Sequence, residues 1–400
     1  GAVGTANTYI GIFIIMFSVI SSGMVAVMTQ NIGAGRPGVA YQARQLGLAF
    51  NAVLGVIMSL FLSLGAGTIL SGVGVADALM QPAKTYLQIV GGFCILNALI
   101  PICSSYLRAF GFSKEPLYAS IIGNVINFCL NAFFLFVLHK GVAGVATATV
   151  ISRIINLVIV VLLGAVLVKA KQHPERESNR AVMGQIIRIG LPSACETAIY
   201  NVSMTLVIRF LNQMDAQGLN VTARSYTMQI TNFSYCVGAA LAQANAIMTG
   251  WHIGAKEYDA CDRGTRKAAI IGVIVAVILE TMFALCSGWI MQLFSKDPQM
   301  VSLVGKLLAI DIVLEMGRVT NLVYGQALKT SGDAVFPVVM GACFMILCSV
   351  GGTYLFGIRL GLLAVGAYIG MAGDECVRAV GMYLRWKSGK WKEKGLVKSR

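Results

Sequence analysis

The sequence predicts an all-α polytopic membrane protein made of two homologous lobes. Of its 400 residues, 57% are apolar and only 12% charged, for a mean hydropathy of +0.76. A soluble domain averages about a quarter charged. Apolar runs of about 20 residues, enough to cross a bilayer as a helix, fill the chain. Its lysines and arginines collect in alternate connections, and stretches of the first half return in the second at a fixed offset.

Eleven spans are expected, over 6–30, 46–70, 86–108, 117–138, 142–168, 187–211, 225–249, 268–290, 301–326, 334–356 and 361–385. The first closes on the glycine-rich, cationic corner "TQNIGAGRPG" (29–38). The seventh closes on "TGWHIGAKEY" (249–258), where Ile32-Gly33-Ala34 returns as Ile253-Gly254-Ala255, a shift of 221 residues. At that shift Leu107-Arg108, Gly111 and Pro116, after the third span, return as Leu328-Lys329, Gly332 and Pro337, after the ninth. "GVAGVA" (141–146) opens the fifth span and resembles "GLLAVG" (361–366), which opens the eleventh at a shift of 220. The sixth begins in "GLPSACE", where Pro192 suits a first helical turn.

The expected organisation is a first lobe over 1–168, a polar cytoplasmic linker over 169–186, a second lobe over 187–386 and a basic cytoplasmic tail over 387–400. Residues 191–221 find no partner at the 221-residue shift. The first half, with five spans, is therefore expected to lack one N-terminal helix of the natural protein. Six helices per lobe, an even number, makes the lobes parallel repeats about an axis along the membrane normal, with a cavity between them.

The net charge of +14 is a topology signal. One set of connections holds Arg36, Arg44, Arg108, Lys114, Lys169, Lys171, Arg176, Arg180, Arg188, Lys256, Arg263, Arg266, Lys267, Lys329 and the seven cations from Arg385 to Arg400, 21 in all. The other set holds Lys84, Lys140, Arg209, Arg224, Lys296, Lys306 and Arg359, seven in all. By the positive-inside rule the rich side, with the C-terminus, is cytoplasmic. Nucleic acid is not an expected partner. The ten cysteines are scattered without a CxxC pair, so neither a disulfide framework nor a zinc site is indicated.

Ionisable residues inside a bilayer cost about 2.5–3.5 kcal/mol each on insertion scales and call for a partner, a watery cavity or a function. Six acids fall within spans, all in the second half: Glu196, Glu280, Asp311, Glu315, Asp374 and Glu375. The first half has Arg153 alone. Asp311, Glu315 and Arg318 share a helical face at i, i+4 and i+7, and Asp374 and Arg378 stand at i, i+4. Arg318 and Arg378 are expected to form structural ion pairs with Glu315 and Asp374. Asp311 and Glu196 have no cation within one turn and are the stronger candidates for binding H⁺ or Na⁺, with Glu315 and Asp374 completing the ion-coupling set. Tyr200 and Ser203 share a face with Glu196. With Asn124, Asn127, Gln229 and Asn232 they are candidate cavity-lining residues, although Asn124, Asn127 and Asn131 equally suit interhelical hydrogen bonding.

The stretches "QNIGAGRPGVAYQA", "LRAFGFSKEPLYASIIGNVINFCLN", "GLPSACE", "LEMGRVTNLVYGQALKTSGDAVFP" and "YIGMAGDECVRA" resemble multidrug and toxic compound extrusion (MATE) transporters of the bacterial type, in order and spacing along nearly the whole chain. The resemblance implies twelve helices in two six-helix lobes, of which the first helix is absent here. It implies export of organic cations, drugs or metabolites in exchange for Na⁺ or H⁺ across the bacterial plasma membrane. It also implies rocking between outward-open and inward-open forms. In the family, acids on the seventh and tenth helices serve ion coupling, and Glu196 and Asp311 lie on the corresponding spans. Some members add an acid on the first helix.

The alternative is a lipid-linked saccharide flippase of the same wider superfamily, which would need cavity cations; Arg153, Arg318 and Arg378 are the candidates. An intramembrane enzyme has no support: HExxH, a GxGD-type aspartyl pair and GxSxG are all missing, and no histidine lies inside a span. The expected partners are a small organic substrate and membrane lipid. The expected state is a monomer, with no cofactor other than the coupling ion.

Overall fold

The computed structural model describes residues 2–72, 77–215 and 217–397, and within them every regular element is a helix. Two tail cations, Lys398 and Arg400, lie outside the described residues. The chain divides into two compact units, Gly1–Ala194 and Cys195–Arg400. The first contains α1 (Ala2–Gly33), α2 (Pro37–Leu64), α3 (Ala66–Gly72), α4 (Asp77–Gly92), α5 (Ile95–Ala109), α6 (Lys114–Ala132) and α7 (Gly141–Leu167). The boundary falls inside α8 (Asn179–Met214). The second contains α9 (Leu219–Gly254), α10 (Tyr258–Leu285), α11 (Ser287–Met291), α12 (Pro298–Ser331), α13 (Val335–Phe344) and α14 (Leu363–Lys387).

The repeat seen in short motifs extends to the helix bounds. Shifted by 221 residues, α2 falls on α10 at both ends, and α1 and α9 end together. The corner between them is the same turn twice, with left-handed backbone at Gly35 (φ 72°) and at Lys256 (φ 62°). The turn after α5, with Gly111 at φ 89°, recurs after α12 with Gly332 at φ 100°. In each, the residue past the glycine donates its N–H five residues back, Phe112 to Leu107 and Asp333 to Leu328. The end of α6 widens into a π-helical turn, Phe133–Val137, and its counterpart Thr353–Arg359 does so as well.

The helices overrun the apolar windows predicted for them. The spans drawn at 46–70 and 268–290 begin at Pro37 and Tyr258, ahead of their apolar runs; in α2 the proline at the first turn suits a helix start. The span drawn as continuous at 86–108 is broken: α4 and α5 meet at a bend of 43°. The cause is Gly91-Gly92, two poor helix formers in succession. The equivalent residues of the second unit are Ile312-Val313, and α12 runs through without interruption. Among the described residues six helices are long and apolar enough to cross a bilayer on composition alone, and the bent pair makes a seventh. The helices α8, α9, α12 and α14 are as long or nearly so and carry more polar residues.

The first turns of α8 belong to the first unit because of two glycines. A Cβ on Gly23 would lie 1.9 Å from the Ile186 carbonyl oxygen, and one on Gly190 would lie 1.7 Å from that of Val19. Backbone therefore meets backbone between α1 and α8, and Val182, Ile186 and Ile189 are buried. Gly23→Ala is expected to destabilise the protein by about 1–3 kcal/mol through overpacking, read as a lower thermal unfolding midpoint in detergent. An unchanged midpoint would contradict this packing.

Candidate functional site

Five of the six predicted intramembrane acids gather in the second unit around two arginines. Arg318 on α12 pairs with Glu315 one turn earlier, and its Nε lies 3.4 Å from Glu375 Oε1 on α14. Arg378 donates to Asp374 Oδ1 and Oδ2 at 2.8 and 3.0 Å, and lies 3.0 Å from Glu375 Oε2. The result is an alternating chain, Glu315–Arg318–Glu375–Arg378–Asp374, that ties α12 to α14. Asn321 Nδ2 donates to Glu375 Oε2 at 3.0 Å, and the Ser349 hydroxyl donates to Asp374 Oδ2 at 2.9 Å. Gly317 permits it: a Cβ there would lie 2.8 Å from the backbone of Glu375 and Cys376. The expected pairs of Arg318 and Arg378 are therefore present, and Glu375, whose partner the sequence left open, is the link between them.

Two acids stand outside the chain. Asp311, one turn before Glu315, is 3% exposed and its Oδ2 accepts no hydrogen bond. Glu280 on α10 is 0% exposed and neither of its oxygens has a hydrogen-bond partner. It lies within electrostatic reach of Asp311, Glu315 and Arg318, with the Ser234 hydroxyl of α9 beside it. Glu315 contributes a further unpartnered oxygen, Oε2. Five carboxyl groups thus share two guanidinium groups. Burying an uncompensated carboxylate costs several kcal/mol, so Glu280 and Asp311 are where a small cation or a proton is called for. Among the described residues no three of His, Cys, Asp and Glu converge as a metal site. A bound Na⁺ would rest on one or two carboxylates and neutral oxygens.

Glu196 takes a different place from the one expected. Lys329, on the last turn of α12, brings Nζ to 2.5 Å from its Oε2, with only 13% and 15% of the two side chains exposed. The absence of a cation within its own helix turn said nothing about a cation arriving from another helix. Ser203 is buried and Tyr200 half-buried within reach of Arg318. Asn127 donates to the Ser152 hydroxyl of α7 at 3.3 Å, an interhelical bond, and accepts from Asn131 of its own helix at 3.0 Å. Asn124, Gln229 and Asn232 sit on exposed faces.

Glu280 was visible in the sequence as an acid within "VAVILETMFALC", yet was not placed in the ion-coupling set. The missing signal was the stripe Cys261, Thr265, Ala269, Gly272, Ala276, which leads to Glu280 at spacings of three and four and forms the buried face of α10.

The first unit lacks this charge at the equivalent positions. Shifted by 221 residues, Glu280, Asp311 and Glu315 correspond to Ser59, Val90 and Cys94, and at the 220-residue shift of the last span Asp374 corresponds to Ile154. The Ser59 hydroxyl accepts the Ile95 N–H at 3.1 Å, at the start of α5. Arg153 has Tyr86 and Cys94 as electrostatic neighbours.

A model of the MatE family matches residues 1–133 and 192–355 of the chain. Over 402 residues the chain is 32% identical to the uncharacterised transporter YisQ of Bacillus subtilis (strain 168), covering 99% of this chain and 88% of the relative. It is 22% identical to the probable multidrug resistance protein NorM of Thermotoga maritima, covering 99% of this chain and 86% of the relative. The crystal structure of MATE in the straight conformation shares its fold at a TM-score of 0.88 and 19% identity, over 98% of this chain and 88% of that one.

The two kinds of acid respond differently to substitution. Arg378→Gln strands the buried Asp374 and leaves Glu375 with Arg318 alone, and is expected to cost about 3–5 kcal/mol. Glu280→Gln removes a charge that no hydrogen bond compensates and is expected to leave stability unchanged or raise it. Thermal unfolding of both variants in the same detergent checks this. A loss in Glu280→Gln as large as in Arg378→Gln would contradict the assignment.

Proposed function

The chain belongs to the MatE family of multidrug and toxin extrusion transporters, and on that footing we propose that it is a secondary antiporter. It exports organic cations, drugs or metabolites in exchange for H⁺ or Na⁺ as its two lobes alternate access. The observation that carries this is the surplus of buried carboxylates over arginines in the second unit. Arg318 and Arg378 fix three acids in place as scaffold. Glu280 and Asp311, with the free oxygen of Glu315, hold the exchangeable ion.

The exchange follows from charge. With H⁺ or Na⁺ bound, Glu280 and Asp311 are neutralised and α10 can rest against α12. With the ion gone, two facing negative charges repel each other and attract an organic cation. Ion and substrate neutralise the same surplus, so each weakens the other's binding by an equal factor. A ligand shifts a conformational equilibrium only by its difference in affinity for the two states. Neutralising this surplus supplies such a difference. Glu196, already neutralised by Lys329, is assigned a structural part.

This reading is better supported than lipid-linked saccharide flipping, because Arg318 and Arg378 are both spent on carboxylates, which leaves Arg153 as the one candidate cation for a pyrophosphate. The location is the bacterial plasma membrane, with the cation-rich connections and the C-terminus cytoplasmic.

In proteoliposomes, an imposed pH or Na⁺ gradient is expected to drive uptake of a fluorescent organic cation. Glu280→Gln or Asp311→Asn is expected to lower gradient-driven uptake by about tenfold or more and, because the same charge attracts the organic cation, to weaken substrate binding as well. Glu196→Gln is expected to keep both uptake and binding. Gradient-driven uptake that survives in the Glu280 and Asp311 variants would contradict the assignment.

A further inference from the structure

The end of the second unit where α10 begins and α14 finishes contains a hollow that the transport reading does not use. After α14 the chain reverses at Gly389 (φ 72°) and forms a short turn of helix, Lys390–Glu393. That reversal stacks Trp391 on Trp386, with ring centroids 4.1 Å apart and planes 8° from parallel. Both indole N–H groups are spent in holding the tail. Trp391 Nε1 donates to the Trp386 carbonyl at 2.8 Å, and Trp386 Nε1 donates to Asp262 Oδ1 at 2.8 Å. Arg266 occupies the other oxygen of Asp262 at 3.0 Å.

What remains open is a cavity of about 300 Å³ walled by Tyr324, Tyr383 and the two tryptophans and edged by Arg266, Lys387 and Lys392. Its one acid, Asp262, has both oxygens engaged, whereas neither Lys387 nor Lys392 is paired with a carboxylate among the described residues. Lys392 Nζ stands 5.7 Å from the Trp391 ring centroid. Arg385, nearby on α14, is committed to Asp333 at 2.7 Å and does not contribute. The hollow therefore carries a surplus of about two positive charges against aromatic walls, with two phenol hydroxyls as further donors. Its volume lies at the lower end of small-molecule sites, about 300–1,000 Å³. That suits a phosphate with a short polar neck better than a whole nucleotide.

The chemistry is particular to this end of this unit. Shifted by 221 residues, Asp262 corresponds to Tyr41, and at the 220-residue shift of the last span Trp386, Lys387 and Trp391 correspond to Val166, Leu167 and Lys171. A general excess of cations on one membrane face does not explain a tryptophan pair and an acid that the equivalent positions of the first unit do not carry.

We propose that this hollow binds a phosphate ester, the chemistry shared by an anionic phospholipid headgroup and by free glycerol phosphate. Phosphate oxygens take Lys387, Lys392 and Arg266 as donors, and the neck of the ester lies along the Trp386–Trp391 stack. The site folds together with the tail, so occupancy also holds the tail against α10 and α14.

The stacked pair supplies the probe. With Trp251 and Trp289 replaced by Phe, Trp386 and Trp391 are the two tryptophans left of the chain's four. Their fluorescence is followed in neutral detergent micelles during titration with phosphatidylglycerol, phosphatidylcholine or glycerol 3-phosphate. Saturable binding of phosphatidylglycerol or glycerol 3-phosphate is expected, weakened about tenfold or more in Lys387→Gln/Lys392→Gln. Lys390→Gln/Lys394→Gln removes as much tail charge from residues that do not line the hollow and is expected to leave the affinity within about twofold. Saturation by phosphatidylglycerol alone identifies the lipid headgroup as the source, and equal saturation by glycerol 3-phosphate identifies the free ester. Equal weakening by the two double variants, or no saturable signal with either phosphate, would overturn the proposal.

Discussion

Five carboxyl groups on α10, α12 and α14 share two guanidinium groups inside the second unit, and much of that unit is arranged around the shortfall. Where cations are present, the structure is rigid: Glu315, Arg318, Glu375, Arg378 and Asp374 alternate in charge and pin two helices whose backbones touch at Gly317. Where cations run out, the structure holds Glu280 and Asp311, buried and short of hydrogen bonds. A pair of fully compensated helices has no reason to exchange ions. A site with uncompensated charge and no scaffold would not stay folded. In the proposed function the combination of the two gives a defined place where a small ion and an organic cation compete.

The two units show how one backbone plan accommodates different chemistry. Their helices begin and end at matching positions, with the same left-handed residue at the first corner and the same π-helical widening late in the fourth pair. What differs is the use of one set of positions. In the first unit Gly91-Gly92 breaks the helix and the Ser59 hydroxyl accepts a backbone N–H from the start of α5. In the second unit the helix runs on through Ile312-Val313, Glu280 stands where the first unit has Ser59, and Glu315 stands where it has Cys94.

The fold was legible because it follows from quantities that sum along the chain: apolar length, the sorting of cations, and a repeat registered by several matches at one shift. The ion pairs of Arg318 and Arg378 were legible because i, i+3 and i, i+4 spacing brings partners together within one helix. The pairing of Glu196 with Lys329 was not, because 133 residues separate the two and only tertiary packing joins them. Glu280 lay between these cases. Its burial was written in the small residues that precede it every three or four positions, while its acidic neighbours come from another helix. The bend between α4 and α5 was legible in Gly91-Gly92, but an apolar window does not register backbone propensity.

The account rests on Glu280 and Asp311 holding an ion that an organic cation displaces. Infrared difference spectroscopy of the purified protein, recorded as a substrate cation is added at fixed pH and Na⁺, observes those carboxyl groups directly. The account predicts a substrate-induced change in the carboxyl bands that is reduced in Glu280→Gln, reduced in Asp311→Asn and absent in the double variant. A substrate-induced change that persists in full in the double variant would contradict it, and the exchangeable charge would have to lie elsewhere.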